Sequence, residues 1–136
     1  MVAIRHVTPK DGDVLLIVGT TKGAFTLRSN GARARWEIGE PYFAGQSIYA
    51  LALDQRGGRR RLLAGGGADH WGPVFYTSDD FGHTWSNPEQ SRIKFPEGAE
   101  ASVKRIWQIK PGRDGVLYAG IEPAAWAELA RVVEAA

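Results

Sequence analysis

Short apolar runs, each closed by a glycine-containing turn, set the pattern of this chain. Val14-Leu15-Leu16-Ile17-Val18 is a continuous β-rich run, as expected of a strand buried on both faces. Gly19 to Gly23 forms a turn, and Ala24-Phe25-Thr26-Leu27 alternates as a second strand. Ile48 to Leu53 keeps period two at Leu51 and Leu53 and predicts another strand. Leu62 to Gly66 and Val74 to Thr77 follow, and then a long polar loop from Asn87 to Ser102. Beyond it, Ile106-Trp107-Gln108-Ile109 repeats the pattern of Ile48-Tyr49-Ala50-Leu51, and Val116 to Gly120 repeats Leu62 to Gly66.

The chain therefore carries an internal repeat. Gly19, Gly66 and Gly120 each close an apolar run at a spacing of about 50 residues, a period typical of stacked β units. One unit reads as four short antiparallel strands, near 48–53, 61–65, 74–78 and after Trp85. Residues 3–8 align with 105–111, Val7 and Pro9 matching Ile109 and Pro111. The tail departs from the repeat. Residues 124–135 are alanine-rich and lack glycine, with Trp126, Leu129 and Val133 at helical spacing, and this predicts a short amphipathic C-terminal helix.

Between the third and fourth strands of the central unit lies Ser78-Asp79-Asp80-Phe81-Gly82-His83-Thr84-Trp85. Asp80 suits a turn because its carboxylate accepts hydrogen bonds from backbone N–H groups two or more residues on. Gly82 supplies a positive φ, and Thr84 and Trp85 open the return strand. The spacing Ser-x-Asp-x-Gly-x-Thr-Trp resembles the Asp-box of BNR-repeat proteins, the sialidase-like β-propellers, and all five diagnostic positions match: Ser78, Asp80, Gly82, Thr84 and Trp85. A degenerate copy spans Ser29 to Trp36, with Gly31 in place of the aspartate and Arg33 in place of the glycine.

This resemblance covers residues 14–125. It implies an all-β fold of antiparallel four-stranded propeller blades, about two and a half of them: blade 1 about 3–38, blade 2 about 47–87 and half of blade 3 about 103–121, followed by the helix at 124–135. Radial closure usually takes four to eight blades, so the chain reads as a partial propeller. Sialidases of this architecture use an arginine triad, a tyrosine nucleophile with a glutamate partner, and an aspartate acid/base. That set cannot be placed on this sequence, so no catalytic residue is assigned. The Asp-box itself is read as a fold element.

Composition narrows the function classes. The chain has 136 residues, 43% hydrophobic and 24% charged, which suits one soluble globular domain. A formal net charge of +2 gives no reason to expect nucleic acid, and Arg59-Arg60-Arg61 beside Gly57-Gly58 reads as a solvated turn. Cysteine is absent, which removes disulfides and thiolate chemistry, and His6, His70 and His83 are too scattered for a metal site. No cofactor is expected. No run approaches the roughly 20 apolar residues of a membrane helix, and no signal peptide is evident, so a cytoplasmic location is expected.

Alternation along antiparallel strands places the turns between second and third strands at the end opposite the Asp-box. They bring together Lys22, then Asp69, His70 and Trp71, and then Glu122. A cation, carboxylates, an imidazole and an indole suit carbohydrate or another small ligand, although loops are polar by default. Glu100 and Arg105 reach the same end. Two alternatives remain open: a fragment of a glycoside hydrolase, and a protein–protein scaffold self-associating through open edges near 3–8 and 116–120.

Overall fold

A computed structural model describes residues 1–68, 72–86, 93, 95 and 97–128. The fold is all-β, built of three sheets set side by side and not closed into a barrel. The first sheet contains β1 (Val2–Ile4), β2 (Val14–Thr20), β3 (Gly23–Ser29) and β4 (Trp36–Gly39), in the order β1-β4-β3-β2. The second contains β5 (Ile48–Asp54), β6 (Arg61–Ala68) and β7 (Gly72–Ser78), in sequence order. The third contains β8 (Arg105–Pro111), β9 (Leu117–Glu122) and β10 (Ala125–Glu128), again with sequence neighbours paired. Every pairing is antiparallel except β1 with β4. Among the described residues, no helix is long and apolar enough to cross a membrane.

The second sheet is apolar on both faces because both are covered. Ala50, Leu63 and Phe75 point to the third sheet, where Ile106, Ile109, Leu117, Ala119 and Ile121 meet them. Their sequence neighbours Ala64 and Tyr76 point the other way and pack with Ala24 and Tyr42, beside the first sheet. Period two thus feeds two cores from one strand, which is why Leu62-Leu63-Ala64 reads as a continuous apolar run. Glycines let the sheets close up. A Cβ on Gly19 would lie 2.4 Å from the Ile48 carbonyl oxygen, and one on Gly67 would lie 2.6 Å from that of Lys104. β2, expected to be buried on both faces, is not: on the outer face of the first sheet Leu16 is 47% and Val18 36% exposed.

Three further expectations need correction. Residues 124–128 do not start a helix: β10 pairs antiparallel with β9, Ala125 facing Ile121 and Glu128 facing Tyr118. Local helix propensity is a weak preference, and a hairpin that satisfies the open side of β9 overrides it. The remainder of the predicted helix, 129–135, lies outside the described residues. Consequently the segment near 116–120 is the middle of its sheet rather than an edge. Residues 2–4, for their part, do not take the place that β8 holds in the third sheet. They lie parallel to β4 on the far edge, and Val7 beyond them is fully buried.

Among the described residues, the fourth strand of the central unit is represented by a single bridge, Thr77 with Ser86. Nor is Arg59-Arg60-Arg61 simply solvated. Arg61 Nε donates to Asp79 Oδ1 at 2.7 Å, Arg60 Nη2 to Asp11 Oδ1 at 2.7 Å, and Arg59 Nη1 lies 3.7 Å from Asp54 Oδ2. Each cation has a carboxylate, so the cluster presents no unbalanced basic patch to a polyanion.

Candidate functional site

The Ser78–Trp85 turn sits where β7 ends, and its hydrogen bonds account for its sequence. Asp80 Oδ1 accepts from the Thr84 backbone N–H at 2.8 Å and from Ser78 Oγ at 2.7 Å, while Oδ2 accepts from Thr84 Oγ1 at 2.5 Å. Ser78 Oγ in turn accepts from the Gly82 N–H at 2.8 Å. Gly82 is required twice over: its φ is +90°, and a Cβ would lie 2.6 Å from Tyr42 Cζ. Trp85 then packs on Tyr42 and Phe43, at centroid distances of 5.5 and 4.8 Å. Each residue of the motif closes the turn or anchors it to the core, which matches a fold element.

The degenerate copy closes differently. Ser29 Oγ donates to the Arg35 carbonyl, and Asn30 Oδ1 accepts from the Ala32 N–H at 3.1 Å. Arg33 takes a φ of +57° where Gly82 stands in the complete motif.

Donors around Asp80, the Thr84 hydroxyl first, hold its carboxyl down at about 2. The unfolded chain takes up this proton near pH ~3.9. The folded state therefore binds fewer protons than the unfolded state between these values, and the stability from Asp80 is present above pH ~4 and lost as pH falls toward 2. Asp80→Ala is expected to cost about 1–2 kcal/mol at neutral pH through unsatisfied turn donors. Thermal melts should show the variant losing less stability than the parent on acidification from pH ~4 to ~2; parallel losses would refute this role.

Two of the other predicted residues, Lys22 and Glu122, lie at the opposite end of the sheets. Lys22 lies exposed in the β2–β3 turn, its carbonyl accepting from the Gly45 N–H at 3.1 Å. Ser47 Oγ reaches the Thr21 carbonyl, and the Ser47 carbonyl accepts from the Gly67 N–H. Gly67 in turn abuts Lys104 and Arg105. Glu122 closes the line, with Arg105 Nη1 donating to its Oε2 at 3.1 Å. Lys22, Arg105 and Glu122 thus share one end of the molecule, opposite the Ser78–Trp85 turn. The Glu122 carboxylate is engaged with arginine. Glu100 is exposed. Asp69, His70 and Trp71, between β6 and β7 in sequence, fall outside the described residues.

Sequence reasoning missed a pair of aromatic residues. The ladder between β5 and β6 shifts register between Ile48 and Ala50, and that between β8 and β9 shifts between Ile106 and Gln108. The extra residues are Tyr49 and Trp107, which hold equivalent places in two successive sheets. Their rings meet at a centroid distance of 4.6 Å and an interplanar angle of 41°. Both strands are edges of their sheets. Between them runs a cleft of about 690 Å³, lined by Tyr49 to Ala52 and Trp107 to Pro111.

The signal was present in the apolar spacing. Ile106 and Ile109 both face the second sheet, and Ile48 and Leu51 both face the first. Residues three apart share a face of a strand only if one residue between them is extra. No protein-family model matches this chain, and no curated protein is similar enough to stand as its relative.

Proposed function

We propose that this chain is a segment of a sialidase-like, BNR-repeat β-propeller that binds a small ligand, a glycan in the first instance, through the end opposite its Asp-box. No catalytic step is assigned to it. The observation that carries the reading is the complete hydrogen-bonded Asp-box at the end of β7, which accounts for all five motif residues in one turn. Side-by-side packing of sequence-contiguous sheets, antiparallel but for β1 with β4, supports it further, since propeller blades are built of antiparallel strands from one stretch of chain. Loops held at one end by a rigid scaffold are where binding groups concentrate.

The test is a saccharide titration of the parent chain beside His70→Ala and Trp71→Ala. Saturable binding, weakened in both variants at unchanged melting temperature, is expected. A flat response across a broad glycan array would remove the reading. Turnover of a fluorogenic glycoside by the 136-residue chain would overturn the assignment of binding without catalysis.

A further inference from the structure

The two bulged aromatics are hard to explain as packing. A bulge sacrifices ladder pairing, and this chain makes that sacrifice at the same place in two successive sheets. A buried ring would be a sufficient return, yet Trp107 remains 47% exposed and Tyr49 is half-buried. What the bulges achieve is to turn two rings out of the ladders at adjacent sheet edges, where they touch and form the head of the cleft.

We infer that Tyr49 and Trp107 form a stacking seat for a pyranose ring of a short oligosaccharide lying in this cleft. The inference rests on the glycan-binding reading above and places the ligand along the β5 and β8 edges rather than in the turns alone. A pyranose with equatorial hydroxyls has an apolar C–H face that stacks on an aromatic ring, while its rim needs hydrogen-bond partners. The cleft supplies both. The two rings and the partly exposed Leu51 and Ala52 give it its apolar surface, and the exposed Gln108 amide and Lys110 ammonium line it as polar groups. Its volume falls within the ~300–1,000 Å³ typical of small-molecule sites. Its length, about four strand residues or ~13 Å, suits more than one sugar ring. Among the described residues Lys110 is the only charged side chain lining it, so a neutral chain is accepted and an acidic one is not repelled.

The experiment is calorimetric titration of the whole chain with cellohexaose, xylohexaose and chitohexaose as neutral probes and trigalacturonic acid as the acidic one. The parent should bind at least one of them. Trp107→Ala and Tyr49→Ala should each lower affinity about tenfold or more, with Trp107→Phe close to the parent. Because Trp107→Ala can disturb folding, Gln108→Glu, on an exposed side chain, is measured beside it and should change affinity severalfold. Parent-like affinity in a folded Trp107→Ala, or in Gln108→Glu, overturns the seat. If His70→Ala and Trp71→Ala weaken binding while the Tyr49 and Trp107 variants do not, the seat falls and the turn-based reading survives. If the parent binds none of the four probes, the seat falls as well.

Discussion

Arg56→Ala is expected to lower stability by about 3 kcal/mol, or roughly 10 °C in melting temperature. Asp54 ends β5 with a carboxylate that is 1% exposed. Arg56 grips it from the next turn, Nε donating to Oδ1 and Nη2 to Oδ2, each at 2.8 Å. The same guanidinium donates through Nη1 to the carbonyls of Gly112 and Val116, at 2.6 and 2.8 Å. One side chain therefore ties the β5–β6 hairpin to the β8–β9 hairpin of the neighbouring sheet.

Removing it leaves the buried Asp54 carboxylate with only the residue-56 backbone N–H at 3.2 Å and Arg59 Nη1 at 3.7 Å, and takes a charged donor from both carbonyls, of which Val116 keeps the Gly112 N–H. Breaking one partner of a buried pair is far more costly than replacing both. Hydrogen bonds from Arg56 also hold the Asp54 carboxyl below the usual carboxylate range, so the anion persists through mild acid. Arg56→Lys should recover only part of the loss, because an ammonium cannot reproduce the planar fork. Asp54→Leu combined with Arg56→Met should melt above Arg56→Ala alone. A melting temperature for Arg56→Ala within about 2 °C of the parent would refute the role.

Gly66→Ala is expected to cost about 2–3 kcal/mol by overpacking. A Cβ at this position would lie 2.0 Å from the Ser47 carbonyl oxygen and 3.1 Å from Ile48 Cα. These are backbone atoms, so the contact is relieved only by moving the start of β5. That movement would reach Tyr49, the bulged residue next in line. Gly31→Ala is the control, since its nearest neighbour would be 3.7 Å away. It should stay within about 0.5 kcal/mol of the parent. Equal melting of the two variants would show that β5 yields more easily than close packing allows.

Much of this architecture is legible in the sequence. Apolar runs bounded by glycine mark most of the longer strands: β6 is covered on both faces and leaves no polar position to blur it, whereas β2 keeps its run although Leu16 and Val18 are exposed. The Ser78–Trp85 turn could be placed after the strand at Val74–Thr77 from spacing alone, since Ser78, Asp80, Gly82 and Thr84 each have a local task. What escaped depends on partners distant in sequence. β1 is three residues long and finds its place only against β4. Residues 125–128 have helix-favouring composition and become a strand because β9 offers an unpaired side. Arg56 looks like any turn arginine until the carbonyls of Gly112 and Val116 are brought to it. The aromatic pair was read as ordinary strand residues, although the three-residue spacing of Ile106 and Ile109 already required a bulge.

Each sheet closes its hydrogen-bonded ladders within one stretch of chain, 2–39, 48–78 or 105–128. Between these stretches the sheets meet through side chains and glycine surfaces. A gene encoding such a chain can gain or lose one unit by a single segmental duplication or deletion between stretches, with no ladder to repair. What a newcomer must bring is a fitting pair of apolar faces, and small residues where its neighbour's first strand crosses. Selection on unit number is thereby separated from selection on the turns and edges, so the stack can lengthen while those turns and edges diversify independently.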